Sequence, residues 1–341
     1  MSYSITLSTL DDQKIQFNCD AEQSVQDAAE AVGFFPPAIC KMGGCGSCLA
    51  VCDSGDYQLK SYSQGMLPDN AEEMGDILLC RTYPKSDLII HAPYNADKIQ
   101  SRQPLAREAE VVKAEILAER TVRLVLQLLP DEEQGLAFEF EPGQFVELEV
   151  PSLDLKRAYS LSNTPNWDGQ LEFLIRLQNS GLFSNYLKNK VKIGDAIKVH
   201  GPSGTFGIQG QSLNPRCFIA GGTGLAPFLS MLRRMAEWGE DHPTQLFLGV
   251  NNEQEVFCRQ ELEELQQALP QLHVNFCVWK PSEDWIDFSG TPADALAIYL
   301  KQIDILPDIY LCGPPLLVEA TTQIALQNGI SPERIHCERF A

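Results

Sequence analysis

Residues 3–9 (YSITLST) and 13–19 (QKIQFNC) alternate apolar and polar side chains on either side of the turn-prone pair Asp11–Asp12, the pattern of a β-hairpin. Ser24 to Ala31 (SVQDAAEA) predicts a short helix with Ser24 as its N-cap. A loop rich in glycine and cysteine follows. Beyond it lie a strand-like stretch, LAVCDSGDYQL, and two strands around ILLCRTYP and DLIIHAP. Short strands with one helix predict a small β-grasp domain over residues 1–98. The polar stretch from Tyr94 to Arg107, with Pro104, breaks the pattern, and we assign residues 99–107 as a linker.

The pattern then changes twice. Up to about Gly210 it runs through β-type segments: EAEVVKAEIL, TVRLVLQLL, QFVELEVP, AYSLSN, LEFLIRLQ and AIKVHGP. Turn residues separate them at short intervals and one helical piece, LFSNYLKNKV, interrupts them. That predicts an antiparallel β-barrel over residues 99–210. From residue 211 to 341 strands alternate with helices: CFIAGG then PFLSMLRRMAEW, QLFLGVN then RQELEELQQAL, HVNFCVW then TPADALAIYLKQI, DIYLCGPP then LVEATTQIALQNG. Such alternation is the signature of an α/β domain with a parallel sheet. The fold class is therefore multidomain α+β, in keeping with 341 residues, more than one core usually spans.

Charge narrows the partners. A net charge of −20, with −8 on residues 1–98 and −12 on the rest, repels phosphate, so nucleic acid and anionic membrane are not expected partners. No apolar run reaches the length of about 18 residues that a spanning helix needs, and the N-terminus lacks a basic and then apolar leader. A cytoplasmic location is the expectation. Eleven cysteines, an odd number with six in the first quarter, do not suit a disulfide framework and point to a metal site near the N-terminus.

Cys40, Cys45 and Cys48 are separated by four and then two residues, and Cys80 follows after 31 more. This is the spacing of a plant-type 2Fe–2S cluster. Four thiolates must converge on two irons, and Gly43, Gly44 and Gly46 let the chain wrap tightly and turn its N–H groups toward sulfur. Zinc sites usually pair two short-spaced couples, which this loop does not. Cys19 and Cys52 read as small buried hydrophobes.

In the barrel segment, RAYSLSN places Arg157 and Tyr159 two residues apart on one strand, where both side chains share a face, with Ser160 next to them. A flavin needs an aromatic plane, a cation for its diphosphate and a hydroxyl near its redox-active nitrogen. The stretch IRLQNSGLFSNYL adds Arg176, Gly181 and Ser184, the last two at a helix start suited to a diphosphate. In the α/β segment, AGGTGLAPF follows an apolar run, and Gly222, Thr223 and Gly224 form a tight strand-to-helix turn for a dinucleotide. Gly313 and Pro314 follow Cys312 at a later strand end, where ligands of parallel sheets bind. No histidine is coupled to Cys312, so a nicotinamide contact or packing is expected of it rather than nucleophilic chemistry. Glu253 and Glu255 after QLFLGV disfavour the extra phosphate of NADPH and favour NADH, with Arg259 as the opposing sign.

Taken in order, CKMGGCGSC, LLCRTYPK, RAYS, GGTGLAP, YLCGPP and the closing CERF resemble the bacterial multicomponent oxygenase reductases of the ferredoxin–NADP reductase-like superfamily. Within them the chain looks most like the reductase components of soluble methane monooxygenase and related diiron hydrocarbon monooxygenases. The resemblance implies that Cys40, Cys45, Cys48 and Cys80 ligate the cluster. It also implies that Arg157, Tyr159 and Ser160 contact FAD, that Gly222, Thr223 and Gly224 face NADH, and that Cys312 lies near the nicotinamide and Phe340 by the flavin. The sequence departs from the expected CREGG at CKMGG. The implied activity is hydride transfer from NADH to FAD, then single electrons through the cluster to a hydroxylase component. A reductase serving an aromatic-ring dioxygenase, and a non-catalytic redox-sensing or interaction protein, stay open as alternatives.

Overall fold

The computed structural model describes all residues except 39–40, 45, 64–65, 68–70, 100, 102–105, 133–134, 154, 209–211 and 340–341, and the side chains of Glu72 and Arg339. Two compact units result, one of Met1–Leu105 with Ser203–Thr205 and Ala341, and one of Ala106–Pro202 with Phe206–Phe340.

In the first unit the expected hairpin forms as β1 (Ser2–Ser8) and β2 (Lys14–Asp20). The helix α1 (Val25–Ala31) starts where expected, with Ser24 Oγ accepting the Asp27 N–H at 3.1 Å. Such a cap is worth about 1 kcal/mol. The strand-like LAVCDSGDYQL is not one strand but two, β3 (Leu49–Ser54) and β4 (Tyr57–Leu59). Gly55 breaks it: its φ is +106°, and a Cβ there would lie 2.1 Å from the Asp87 carbonyl oxygen. A short helix α2 (Ala71–Met74) precedes β5 (Asp76–Leu78). The ILLCRTYP segment also breaks, into β5, a tight turn over Leu79–Arg81, and β6 (Thr82–Pro84). With β7 (Leu88–His91) the main sheet has the order β2-β1-β7-β3-β5, with β1 and β7 parallel, and β4 pairs with β6. Ile5, Leu7, Ile77, Leu78 and Ile90 form its core with α1.

The second unit opens with the barrel: β8 (Arg107–Ala118), β9 (Thr121–Leu128), β10 (Phe145–Val150), β11 (Leu155–Ser160), β12 (Gln170–Arg176) and β13 (Ala196–Ser203), with helix α3 (Leu182–Asn189) before β13. The order is β11-β10-β13-β8-β9-β12, and a bridge between Leu161 and Phe173 joins the two edges. Closure leaves no free edge, and the inward residues (Val111, Leu124, Leu126, Leu148 and Phe173 among them) fill the interior. The strand expected at AYSLSN starts earlier and ends at Ser160. Beyond it the chain crosses to β12, where the Ser162 N–H donates to the Glu172 carbonyl and the Ser162 and Asn163 side chains also bond to Glu172.

The remainder is a six-stranded parallel sheet: β14 (Arg216–Gly221), α4 (Leu225–Trp238), β15 (Thr244–Val250), α5 (Arg259–Ala268), β16 (Leu272–Val278), β17 (Phe288–Ser289), α6 (Pro292–Tyr299), β18 (Asp308–Gly313), α7 (Pro315–Gln327) and β19 (Ile335–Arg339). Its order is β17-β16-β15-β14-β18-β19. Order reverses between β14 and β18, so the crevice at their carboxyl ends is the switch point where such sheets bind ligands. Thr291 and Asp294 cap α6 reciprocally, and α6 stops at Tyr299, short of the expected residue 303. The edge strands β17 and β19 were not expected. No described helix is long and apolar enough to cross a membrane.

Candidate cofactor sites

In the first unit, Cys48 and Cys80 are both buried and their Sγ atoms lie 3.2 Å apart. That exceeds the roughly 2.05 Å of a disulfide, so the two thiols converge without being bonded. The Leu79 N–H donates to the Cys48 carbonyl at 2.9 Å, and Thr82 Oγ1 donates to the Leu78 carbonyl at 2.8 Å, so the turn that carries Cys80 is braced on both sides. Gly43, at φ +74°, lies so close to Tyr62 and Arg81 that a Cβ would approach their side chains to 2.7 and 2.8 Å. Two convergent thiols, in a loop that only glycine can thread, fit an iron–sulfur cluster. Cys40 and Cys45 lie outside the described residues, as does Phe340.

In the second unit β11 carries Arg157, Tyr159 and Ser160. Arg157 is exposed, and among the described residues its one hydrogen bond goes to the Lys156 carbonyl at 2.7 Å. The Tyr159 ring packs on Phe183, centroids 5.0 Å apart, and burial raises its phenol pKa against the opposing pull of Arg157. Gly181 is the N-cap of α3 and makes no side-chain cap, which leaves the first-turn N–H groups of the helix for a ligand. Ser184 does not cap the helix. Its Oγ accepts the Gln178 N–H at 2.8 Å and so shapes the loop that leads into α3. An exposed arginine, a ring face and an open helix start fit FAD.

The switch point holds the Gly222–Gly224 loop and the Gly313–Pro314 loop. Gly224 packs so tightly on β18 that a Cβ would fall 2.1 Å from the Cys312 carbonyl oxygen, whereas Gly222, at φ +55°, has nothing within 4 Å of where its Cβ would be. One glycine lets the loops touch; the other leaves a cradle. A cleft of about 310 Å³ opens here, lined by Arg120, Arg176, Gly222, Thr223, Glu255 and Pro314 among others. Its size and mixed apolar and charged lining suit a dinucleotide.

Three side chains converge where barrel and parallel sheet meet. Ser160 Oγ donates to Glu338 Oε2 at 3.1 Å, and Cys312 Sγ lies 3.9 Å from the same oxygen. All three are buried. Burial pushes the Glu338 carboxyl up to about 7, against the opposing bonds from Ser160 and Cys312. Burial, followed by the charge of Glu338, raises the Cys312 thiol well above its ordinary value, which disfavours the thiolate form. Glu338 is the principal site residue that sequence reading did not assign. The parallel register Cys312↔Glu338 creates the contact, and no local motif signals it. Arg120 was missed likewise, because it sits in the turn between β8 and β9. Arg259, the sign against NADH, is engaged with Asp287 at 2.7 Å and stacks on Phe276.

Comparison with known proteins identifies the domain families. The 2Fe-2S iron-sulfur cluster binding domain family matches residues 8–85, the oxidoreductase FAD-binding domain family 108–208, and the oxidoreductase NAD-binding domain family 218–323. Methane monooxygenase component C of Methylosinus trichosporium is 38% identical over 77% of this chain and 77% of its own length. The toluate 1,2-dioxygenase electron transfer component of Pseudomonas putida is 34% identical over 94% of this chain and 93% of its own. Among solved structures, a cytochrome P450 reductase from Amycolatopsis aligns with a TM-score of 0.75 at 27% identity, covering 98% of each chain. A ferredoxin reductase in carbazole 1,9a-dioxygenase aligns at 0.70 and 26%, covering 100% of this chain and 99% of its own.

Proposed function

Because this chain belongs to the electron-transfer reductase components of multicomponent oxygenases, with 2Fe–2S, FAD and NAD domains, we propose that it serves a diiron hydroxylase of the hydrocarbon monooxygenase type. The observation that carries the reading is the meeting of Ser160, Cys312 and Glu338 at the switch point, where a flavin-type strand and a nicotinamide-type loop share one carboxyl group. The 38% identity to methane monooxygenase component C supports the partner class. The longer coverage by the toluate dioxygenase component favours the second reading, an aromatic-ring dioxygenase.

When bound, FAD takes electrons in pairs from nicotinamide and gives them up singly, which is what a one-electron cluster needs. The chain's own residues orient that exchange. Arg157 and the start of α3 at Gly181 would hold the diphosphate of FAD, with Tyr159 and Ser160 supplying an aromatic ring and a hydroxyl beside it. Arg176 and Ser184 shape the adjoining wall. Gly222, Thr223 and Gly224 with Gly313 and Pro314 would hold NADH, in a cleft that Glu255 also lines. Cys312 would pack beside the nicotinamide, Glu338 holds a proton on its carboxyl group below about pH 7 while Oε2 accepts from Ser160, and Phe340 would lie by the flavin. Cys40, Cys45, Cys48 and Cys80 would ligate the cluster.

The test uses purified protein with NADH under anaerobic conditions. It expects flavin bleaching and the EPR signal of a reduced 2Fe–2S cluster in one sample, then faster turnover when a diiron hydroxylase is added than when a dioxygenase terminal component is. Equal stimulation by both would remove the partner assignment. Absence of NADH-dependent flavin reduction would remove the reductase reading.

A further inference from the structure

A closed ring of alternating charge joins the barrel to the parallel-sheet half of the second unit, through residues that do not line the cofactor cleft. Arg123 on β9 and Glu172 on β12 come from the barrel; Arg233 on α4 and Glu261 on α5 come from the other half. Glu172 meets Arg233 Nη1 at 2.9 Å and Arg123 Nε at 3.5 Å. Glu261 meets Arg123 Nη2 at 2.5 Å and Arg233 Nη2 at 3.3 Å. Each charge touches two of opposite sign. Burial acts to raise the Glu172 pKa, but Arg233 and Arg123 outweigh it and hold the carboxyl below its ordinary value, so it stays ionised.

The ring also grips the chain just past Ser160. Arg233 Nη1 donates to the Ser162 carbonyl at 3.0 Å, and Ser162 Oγ donates to Glu172 Oε1 at 2.8 Å. Ser230, one turn before Arg233 on α4, donates to the Asn163 carbonyl at 2.6 Å, and Asn163 Oδ1 accepts the Glu172 N–H at 2.9 Å. Helix α4 thus holds the segment after Ser160 at its middle and carries the Gly222–Gly224 loop at its start.

We propose that Glu172 and Arg233 are positioning residues for hydride transfer: through α4 they set the nicotinamide loop against the strand end that carries Ser160. The proposal rests on the assignment of that loop to NADH. Magnitude supports positioning over stability. Partly buried ion pairs add little net stability compared with apolar packing. Arg233 lies nine residues from Gly224, about 14 Å along the helix, so a tilt of about 5° moves the loop by about 1 Å. A misplacement of that size costs on the order of 10²-fold in rate.

The test is rapid-mixing flavin reduction by NADH in the full-length protein loaded with FAD and cluster, comparing wild type with Glu172→Gln and Arg233→Lys. Glu172→Gln keeps shape and loses charge. Arg233→Lys keeps charge and loses the planar fork that reaches Ser162, Glu172 and Glu261 together. Both should lower the limiting reduction rate by about tenfold or more, with NADH affinity held within about twofold and FAD content unchanged. Both should also weaken the long-wavelength charge-transfer absorbance between NADH and flavin, a signature of stacking geometry that a loss of stability alone would not move. An unchanged limiting rate and absorbance, or a loss confined to NADH affinity, would overturn the proposal. If Glu172→Gln does not retain FAD, Arg233→Lys decides on the same readouts. Failure of the wild-type flavin to be reduced by NADH would instead defeat the assignment on which the proposal rests.

Discussion

Ser160 and Glu338, 178 residues apart in the chain, share a hydrogen bond of 3.1 Å that ties the last barrel residue of β11 to the final strand of the parallel sheet. Their side chains are buried together, and the carboxyl is pushed up from 4.5 to about 7, mainly by burial.

That shift has a signed consequence. Between 4.5 and about 7 the folded protein keeps a proton on Glu338 that the unfolded chain has lost. Stability therefore falls as pH rises through this window, by at most about 1.4 kcal/mol per pH unit from this group. Urea midpoints at several pH values should show a smaller decline in Glu338→Gln than in wild type. A steeper decline in the variant would contradict the assignment.

The convergence of Cys48 and Cys80 at 3.2 Å leads to a separable loss. Cys48→Ser should reduce bound iron well below the roughly two atoms of a 2Fe–2S cluster and abolish the cluster's EPR signal. Flavin reduction by NADH should persist, since its residues lie in the other unit. Iron analysis and anaerobic absorbance together check this. Loss of both activities would argue that the cofactors are not held independently.

Gly222 and Gly224 should respond differently to alanine. At Gly224 the new methyl would meet the Cys312 carbonyl, and overpacking of that kind costs about 1–3 kcal/mol. Gly224→Ala should lower the melting temperature and cripple NADH-dependent flavin reduction. Gly222→Ala meets no atom but is placed at φ +55°, a strain of about 1–2 kcal/mol, and its methyl would enter the cradle. Its main effect should be a raised KM for NADH, seen in ferricyanide reduction assays.

Glu255 faces the cleft, and its carboxylate accepts from Asn251 Nδ2 at 2.7 Å. A phosphate about 4 Å from it would meet repulsion of about 1–4 kcal/mol, depending on solvent screening. NADH should accordingly be preferred over NADPH by at least about tenfold in kcat/KM. Glu255→Gln should narrow the ratio chiefly by improving NADPH. A variant that loses NADH and NADPH in proportion would show that Glu255 shapes the loop without reading the ribose.

Much of this protein was legible because its signals are local. The cysteine spacing, the glycines of GGTG and the alternation in residues 3–19 each act within a few residues, through backbone freedom and side-chain periodicity. Local reading failed where the backbone answers to a distant neighbour. Gly55 looks like part of a strand until the Asp87 carbonyl is placed against it. Cys80 reads as a strand residue until the turn at Leu79–Arg81 brings its thiol to Cys48.

By itself the sequence determined the order of domains and the kind of cofactor each one takes, since those depend on residue types at short spacing. Only the tertiary structure decided that IHCER becomes the sixth parallel strand, that its register sets Glu338 beside Cys312, and that Ser160 reaches the same oxygen. Parallel pairing joins segments with no common turn, so its register is written in packing between distant residues and not in the pattern of any one segment.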